Sequence, residues 1–487
     1  MNNATHLQHK TIGRPHPVAV RRLLAIVALV AAALVPAGNQ AGASPYSLFL
    51  RLDSASLAEG SADVPGQITG RPQVRRPTSL SAADRPLVLV DYTSQTPVVL
   101  KRDGTRPAAW HSRLLSVQWV TPLREVPQES PWTVGLQLDK AENNVSYDLL
   151  GESYSISADS DSYALSLAYQ LNNDWRVGAG CTWIESTANA RGPAVADYLG
   201  LPPDTNNWPG VSSEATRYVL GVSRSAPEWQ WGLQYDWSSP RQRLHVTADS
   251  DDYGLDLSGD EHRLEAYVAY LQGNETYFLS GWEQKADTAS TFALGFTGMA
   301  NIAAAARDKS LIAGWRKAKG LRGQQLTLDW RRTELFTDNH AYTGLVPDPS
   351  NEMASLSADA DVSTYSLRYG RQEPLSSRLT FLSSLTVHRA LCDGNLLLRA
   401  LPEEGEDPET VSEHHIADGR LYLYTISVGI DYRTDEYRAA FTYTTGYADV
   451  NEAFKHEVSP EQNGGGVDPS DHLKAQDFFT TSFTKYF

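Results

Sequence analysis

The sequence predicts an all-β protein, a transmembrane antiparallel β-barrel of about fourteen strands with short periplasmic turns and long extracellular loops. Three observations predict it: an N-terminal export signal, segments in which apolar residues alternate with polar ones, and a last strand that ends on Phe487. Alternation with a period of two indicates β-strands, because successive side chains of a strand point to opposite faces.

The N-terminus carries the export signal. The apolar run "LLAIVALVAAALVP" (23–36) follows Arg21 and Arg22 and precedes the small residues of "AGA" (41–43). A basic stretch, a short apolar stretch and a small-x-small site form a secretory signal peptide. The alternative, an N-terminal membrane anchor, fits less well because the run is short and small residues follow it. We therefore expect residues 1–43 to be removed on export.

The net charge and the cysteines exclude two classes of protein. The chain has a formal net charge of −16, and loss of residues 1–43, which hold four cations and no acid, takes it to −20. A nucleic-acid-binding protein needs a basic face, so this class is disfavoured. Cys181 and Cys392 are too few for a disulfide framework, and we expect both to be free thiols.

Residues 44–130 are rich in proline and show little regular alternation. Proline cannot donate a hydrogen bond to a strand ladder, which disfavours central strands in this segment. Two interpretations stay open: a disordered periplasmic segment, or a plug or partial strand packed in the lumen. The stretch "WHSRLLSVQWV" (110–120) is a candidate for one additional strand.

Regular alternation begins near residue 131. In "SYALSLAYQL" (162–171) the tyrosines and leucines share one parity, and the small and polar residues share the other. The same pattern recurs in "WRVGAGCTW" (175–183), "WQWGLQYDW" (229–237) and "YLYTISVGIDY" (422–432). A soluble sandwich would show this alternation too. Spans of ~9–11 residues with aromatic ends fit a membrane strand better.

Fourteen such segments, within a range of twelve to sixteen, predict a barrel over residues 131–487. Short connections of three to five residues alternate with long ones, as periplasmic turns alternate with extracellular loops in outer-membrane barrels. A closed sheet also has no edge that lipid would leave unsatisfied. The predicted strands are 131–141, 161–171, 174–186, 214–225, 228–249, 260–271, 275–286, 308–317, 322–334, 361–371, 377–389, 420–432, 436–447 and 476–487.

The chain ends in "DFFTTSFTKYF", in which Phe479, Phe483 and Phe487 share one parity. This segment resembles the closing strand of bacterial outer-membrane barrels, whose terminal aromatic is an address for the outer-membrane assembly machinery. The alternative is a periplasmic β protein that ends on phenylalanine by chance. The export signal at the other end favours the barrel.

The second face of the predicted strands is small, polar and charged, which predicts a polar lumen. Fourteen strands enclose more space than eight, whose interior side chains fill the barrel. The residues expected to line this lumen are Ser166, Gln170, Arg176, Gln234, Asp236, Arg263, Glu265, Arg316, Asp329, Arg331, Arg368, His388, Asp431 and Arg438.

Acidic repeats near the extracellular strand ends are weak candidates for a metal site. Carboxylates of "SADSD" (157–161) and "SADAD" (357–361) could share a divalent cation with lipopolysaccharide phosphates, since hard cations take oxygen ligands. The loop at 402–418 combines carboxylates with imidazoles. The alternatives are ordinary turn chemistry and a solvated acidic loop. The candidate ligands are Asp159, Asp161, Asp359, Asp361, Glu413, His414, His415 and Asp418.

Motifs for catalysis are absent from the sequence. No G-x-S-x-G or H-E-x-x-H occurs, and a nucleophilic serine needs a nearby histidine base. His245 and His388 lie mid-strand on the inward parity, where a polar lining role is the simpler interpretation. We therefore assign no catalytic residue and no cofactor.

The region from Trp132 to about Pro203 resembles a family of uncharacterised proteobacterial outer-membrane β-barrels, known as a domain of unknown function. The resemblance rests on "AENN", "ADSDS", "YALSLAYQL", "DWRVGAG" and "YLGLPP". The family pattern has a histidine before its Gly-Leu-Pro, whereas Asp197 and Tyr198 precede Gly200 here. The resemblance implies a barrel and implies no activity.

The sequence as a whole therefore predicts a monomeric barrel in the outer membrane of a Gram-negative bacterium, with a porin-like channel for small solutes. Its expected partners are the lipid bilayer, lipopolysaccharide and the assembly machinery, which would bind Phe487. Two other functions stay open. One is a non-conducting structural or surface-interaction barrel, and the other is a lipid-modifying enzyme.

Overall fold

The computed structural model describes residues 72–95, 99–102, 105–123, 131–149, 152–191, 210–248, 251–294, 298–342, 352–400, 409–450, 473–474 and 478–487. The signal peptide expected at 1–43 lies outside these residues. Within them, no helix is both long enough and apolar enough to cross a membrane.

Sixteen strands form one antiparallel sheet. Three of them, β1, β7 and β16, are each recorded as two segments. The strands are β1 (Leu87–Gln95 and Val99–Arg102), β2 (Thr105–Pro122), β3 (Trp132–Leu149), β4 (Glu152–Gln170), β5 (Trp175–Arg191), β6 (Gly210–Ser225), β7 (Trp229–Ser238 and Arg241–Ala248), β8 (Asp251–Gln272), β9 (Glu275–Leu294), β10 (Gly298–Lys319), β11 (Arg322–Tyr342), β12 (Glu352–Pro374), β13 (Leu379–Ala400), β14 (Glu409–Arg433), β15 (Tyr437–Val450) and β16 (Leu473–Lys474 and Phe478–Tyr486).

The sheet closes into a barrel. Each strand pairs with its neighbours in sequence, and β1 pairs with β16 from Leu87 opposite Tyr486 to Gln95 opposite Phe478. Closure leaves no edge strand, which is the condition for placing a sheet in lipid. An even number of strands also places both ends of the barrel wall on the same side, as in bacterial outer-membrane barrels.

The barrel has sixteen strands, two more than the expected number of about fourteen. Sixteen is the upper limit of the predicted range of twelve to sixteen. The fourteen predicted segments correspond to β3–β16, and the two missing strands are β1 and β2. The barrel wall therefore begins at Leu87 and not at residue 131. The cause of the error is proline: in the sequence Pro97 stands between the two described segments of β1, Pro107 lies inside β2, and Pro122 ends β2. Proline at such positions costs the ladder little.

The predicted long loops were also too long. Residues 287–307, 335–360 and 390–419 were expected to be loops, yet most of them lie in β9–β14. Several strands have 20 to 25 residues, about twice the ~9–11 that cross a bilayer. In these extensions apolar and polar residues do not alternate regularly, so the pattern by which strands are predicted is missing. The wall thus continues well beyond the part with an apolar exterior.

The two faces of the wall differ sharply. On β4, outward-facing Leu165 is 43% exposed and inward-facing Ser166 is 3% exposed. The outward apolar residues of β4 run from Tyr163 to Tyr169, and Asp161 follows them on the same face toward the other end of the barrel. A band of this height around a closed barrel is the surface that membrane barrels present to lipid.

Short turns join the strands at one end of the barrel. Two of them depend on glycine: Gly273 and Gly320 have φ angles of 61° and 63°. These positive values are typical of two-residue hairpin turns and favour glycine. Leu87 and Tyr486 lie at this same end, which we call the short-turn end.

Candidate functional site

Residues 72–86 leave the wall and pack inside the barrel, and we call them the plug segment. They contain a 3-10 helix, Pro77–Ala82, which contacts β3, β4, β5 and β6. The Ser79 side chain ties the segment together, because it accepts a hydrogen bond from the Gln73 N–H at 2.8 Å and donates one to the Gln73 carbonyl at 3.0 Å.

Glycines on the inner wall form the seat of the plug segment. A Cβ at Gly178 would lie 2.5 Å from the Cβ of Pro77, and a Cβ at Gly135 would lie 2.9 Å from Leu80. No real Cβ tolerates a contact of 2.5 Å. The wall therefore lacks side chains where the helix approaches it, which is a typical reason for glycine inside a strand.

The plug segment buries its apolar side chains against the wall. Val74 and Leu80 are fully buried and belong to one cluster with Val120, Ala164 and Ala168. Burying such side chains fully contributes roughly 1.5–3 kcal/mol each. Packing as well as charge therefore holds the segment in the lumen.

Two adjacent arginines attach the plug segment to two separate parts of the wall, β3 and β8. Arg75 pairs with Asp139 of β3 and donates to the Ser162 hydroxyl at 2.8 Å. Arg76 pairs with Glu265 of β8 at 2.8 Å, and both of these side chains are largely buried. Breaking a buried pair is costly where the remaining partner is left as an uncompensated charge, and Glu265 has a second partner in Arg263 at 3.0 Å.

Further ion pairs line the wall from β6 to β12. Glu261 of β8 accepts from Arg217 at 2.6 Å and from Gln284 at 2.7 Å. Further links are the pair of Arg263 with Glu265 at 3.0 Å, the bidentate pair of Arg331 with Asp308, and the pair of Arg368 with Asp329 at 3.6 Å.

The indole of Trp282 lies between two arginines of the lumen, Arg263 and Arg331. The guanidinium of Arg263 is 4.4 Å from the ring centre of Trp282, and that of Arg331 is 5.5 Å from it. Both distances are within the range of cation–π attraction. The ring and the ion pairs form one connected layer on this side of the lumen.

The other side of the lumen, from β12 to β16, is lined mainly by hydroxyls. The Thr444 hydroxyl donates to Ser427 at 2.7 Å. Near the short-turn end, Asp431 accepts from Arg438 at 2.8 Å and pairs with Arg433 at 2.5 Å. The buried hydroxyl residues on this side are Thr364, Ser366, Thr380, Ser384, Thr386, Ser427, Thr442, Thr444, Thr480, Ser482 and Thr484.

All the residues expected from the sequence to line the lumen occupy inward-facing positions of the strands. Nine are buried: Ser166, Gln234, Asp236, Arg263, Glu265, Asp329, Arg331, Arg368 and Asp431. Gln170, Arg176, Arg316, His388 and Arg438 are half-buried.

Sequence reasoning missed several residues of this site. Strand parity could have found Glu261 and Asp308, since each shares the parity of a predicted lining residue on its own strand, whereas no lining residue was predicted on β6, the strand of Arg217. Arg75 and Arg76 had no such signal, because the plug segment is not periodic.

One serine–histidine contact lies in the wall. Ser366 Oγ and His388 Nδ1 are 2.7 Å apart, on inward-facing positions of β12 and β13. Ser366 is buried, so a substrate cannot reach its hydroxyl in this conformation. The pair therefore fits a polar lining role.

The candidate metal ligands are engaged elsewhere or lie apart. In the described part of the chain, no three His, Cys, Asp or Glu side chains form a group that could hold a metal ion. Asp361 pairs with Arg332 at 2.5 Å, and Asp359 accepts from Asn395 at 3.2 Å. Asp161 lies opposite Lys140. The side chains of Glu413, His414 and His415 are outside the described residues.

Two of these acids lie beyond the apolar band and have shifted pKa values. Burial, and then the nearby Glu142 carboxylate, raise the pKa of Asp159. The hydrogen bond from Arg420 lowers the pKa of Asp418. The two acids therefore differ in environment and do not form one site.

Both cysteines, Cys181 and Cys392, are free.

No protein-family model matches the chain, and no curated protein is similar to it. Solved structures with a similar course of the chain include the toluene transporter TbuX from Ralstonia pickettii, at 10% identity and a TM-score of 0.41, covering 90% of this chain and 98% of that one.

Two further structures are similar at the same level. A Pseudomonas aeruginosa FadL homologue has 12% identity and a TM-score of 0.42, with 89% of this chain and 98% of that chain covered. CdiB from Acinetobacter baumannii has 9% identity and a TM-score of 0.40, with 82% and 60% covered. Similarity this low transfers no function, so the functional argument rests on the residues of this chain.

Proposed function

We propose that the protein is an outer-membrane channel for small solutes, in which the plug segment restricts passage at the short-turn end. The closed barrel with an apolar exterior supports a membrane location, because only helices and closed barrels satisfy every backbone group in lipid. The expected signal peptide and the terminal Phe487 support the outer membrane of a Gram-negative bacterium.

The observation that carries this proposal is the attachment of the plug segment. The wall strands are held by continuous backbone ladders, whereas residues 72–86 are held by side-chain packing and by the ion pairs of Arg75 and Arg76. An element attached in this way can shift without breaking the wall. A barrel with a purely structural role has no need of such an element in its lumen.

The rival functions predict different measurements. In a structural or surface-interaction barrel, the paired charges of β6–β12 stabilise a lumen that never conducts. In a lipid-modifying enzyme, the Ser366–His388 pair would have to be accessible, and the burial of Ser366 disfavours this. Conductance therefore separates the channel from both rivals.

The test is a planar-bilayer recording of the refolded full chain, with two variants that disturb the plug segment. Gly178→Leu places a side chain where Pro77 lies, and Arg76→Gln removes the buried pair with Glu265. We expect the wild-type protein to show small conductance steps and both variants to show larger or longer openings.

The matched control is Ala179→Leu, because residue 179 is the neighbour of Gly178 on the outward, exposed face of β5. This variant should conduct like the wild type. All variants should keep the heat-modifiable migration of a folded barrel. If neither the wild type nor the two plug variants conducted, the channel proposal would be wrong and a structural role would be favoured.

We also propose contacts with partners outside the chain. The N–H of Phe487 donates to the Pro86 carbonyl at 2.9 Å, which holds its backbone, while the residue is 68% exposed. Its ring would therefore be accessible to the assembly machinery. The charged residues beyond the apolar band lie where lipopolysaccharide head groups would surround the barrel. We expect the barrel to be a monomer.

A further inference from the structure

On the described wall, lysine occurs only on the outward face, whereas arginine occurs on both faces. Every inward-facing cation in the described wall is arginine: Arg176, Arg217, Arg263, Arg316, Arg331, Arg368, Arg433 and Arg438. The lysines whose side chains are described all face outward: Lys140, Lys285, Lys309, Lys317, Lys319 and Lys485. Arginine differs from lysine in that its planar fork binds carboxylate and phosphate oxygens in a bidentate manner.

The acids inside the wall are buried under their partners. The inward-facing acids of the described wall match its arginines in number, and all are exposed by 10% or less: Asp91, Asp139, Asp236, Glu261, Glu265, Asp308, Asp329 and Asp431. Arg75 is 47% exposed and Arg433 34% exposed, and Asp84 of the plug segment is an exposed acid. The charges of the wall balance, and the plug segment adds Arg75, Arg76 and Arg85 against Asp84, so the described lumen has an excess of two positive charges, although the chain as a whole carries −16.

Arg75 is the most exposed of these cations, and its position is defined. Its partners are Asp139, seven residues along β3 from Trp132 at the short-turn end, and Ser162. The rest of the plug segment lies between this level and the short-turn end, where Pro86 meets Phe487. Arg75 thus stands on the part of the plug segment farthest from the short-turn end, with its guanidinium held on one side and open on the other.

We propose that the lumen prefers small anions, with carboxylate or phosphate groups, and that Arg75 is a specificity-determining residue for them. This inference rests on the proposed channel and names its solute class. The exposed guanidinium offers donors in a planar fork, and an excess of positive charge inside a low-dielectric channel raises the local concentration of anions. The Asp139 carboxylate opposes the preference by neutralising part of this charge.

The test is the reversal potential of the full chain in a planar bilayer under an asymmetric KCl gradient. We expect chloride to be more permeant than potassium. Arg75→Gln should shift the permeability ratio toward potassium, and Arg75→Lys should shift it less. Lys285→Gln, which removes an exposed outward-facing cation, should leave the ratio unchanged.

Asp139→Asn separates charge from loosening of the plug segment. Both Arg75→Gln and Asp139→Asn break the same ion pair, so mere loosening would move the ratio in the same direction. If charge decides, Asp139→Asn exposes an unpaired guanidinium and shifts the ratio toward chloride, opposite to Arg75→Gln. Shifts in the same direction would overturn the role of Arg75.

The remaining outcomes separate this inference from the channel itself. A conducting barrel that prefers potassium would overturn the anion preference and keep the channel. No conductance in the wild type or in the plug variants would overturn both. Block of the chloride current by acetate or by inorganic phosphate, weakened by Arg75→Gln, would identify which anionic group is recognised.

Discussion

At the residue scale, the two faces of a wall strand should differ in their tolerance of charge. Leu167 faces outward within the apolar band of β4, and Leu167→Arg should cost about 2–4 kcal/mol of unfolding free energy, the value for a cation near the bilayer midplane. Thr187 also faces outward but lies beyond the band, opposite Asp159, so Thr187→Arg should cost almost nothing. Urea titration of the barrel in lipid vesicles measures both, and equal costs would contradict the position of the band.

A second residue-scale prediction concerns Glu265, which pairs with Arg76 at 2.8 Å and with Arg263 at 3.0 Å. Glu265→Gln leaves two buried guanidiniums without this acid and should cost about 3–5 kcal/mol. Arg76→Gln should cost less, because Arg263 still neutralises the carboxylate. The same urea titration gives the order of the two variants. If Arg76→Gln were the more damaging, the plug segment would contribute more to stability than its charge pair does.

At the element scale, the seam between β1 and β16 defines a sixteen-stranded barrel. Thr93 lies opposite Thr480 on the inward face, and directly opposed Cβ atoms are about 4.5–5.5 Å apart. In a Cys181→Ser, Cys392→Ser background, Thr93→Cys with Thr480→Cys should form a disulfide on mild oxidation, seen as a shift in gel mobility.

A fourteen-stranded barrel would instead bring β16 against β3. The matched control is therefore Thr133→Cys with Thr480→Cys, which should stay reduced because β1 and β2 separate these strands. A disulfide in the control pair, without one in the Thr93 and Thr480 pair, would show that the barrel has fourteen strands.

The last strand carries a separate prediction about assembly. Phe479 and Phe483 face outward with Phe487 at the end of β16. Deletion of Phe487 removes one exposed ring and one terminal hydrogen bond, so intrinsic stability should change little. We expect lower amounts of heat-modifiable barrel in the outer membrane, with accumulation or degradation in the periplasm. Normal amounts would mean that the terminal aromatic is not read during assembly.

The wall strands show how far the sequence alone can lead. β3–β16 were predictable because an apolar band on one face imposes a period of two, as in Tyr163 to Leu171. β1 and β2 escaped because prolines interrupt the pattern at their ends. The extensions of β9–β14 were not predicted because their apolar residues, such as Leu396 to Leu398, do not alternate regularly with polar ones. Only backbone pairing identifies them as strands.

The candidate site was predictable only where it belongs to the wall. Parity identified Arg263, Glu265 and Arg331 as inward-facing residues, since a strand fixes the direction of each side chain. The plug segment depends on contacts between residues far apart in sequence, such as Pro77 with Gly178. No periodic pattern in the sequence predicts such a contact, and a glycine in a strand can have several other causes.

At the scale of the whole molecule, the position of the short-turn end fixes the orientation of the barrel in the membrane. The plug segment, Phe487 and the turns at Gly273 and Gly320 all lie at this end, which we expect to face the periplasm. The strand extensions beyond the apolar band should then face the cell exterior. Lys285 lies on such an extension and Lys319 beside a short turn, and both are exposed.

This orientation can be tested with single cysteines in the Cys181→Ser, Cys392→Ser background. A membrane-impermeant maleimide added to intact cells should label Lys285→Cys, because the extension of β9 stands outside the bilayer. Lys319→Cys should be labelled only after the outer membrane is permeabilised, since its side chain borders the periplasm. The opposite pattern would invert the barrel and place the plug segment at the cell surface. In that case a solute from outside the cell would reach the plug segment first and Arg75 second, the reverse of the order expected here.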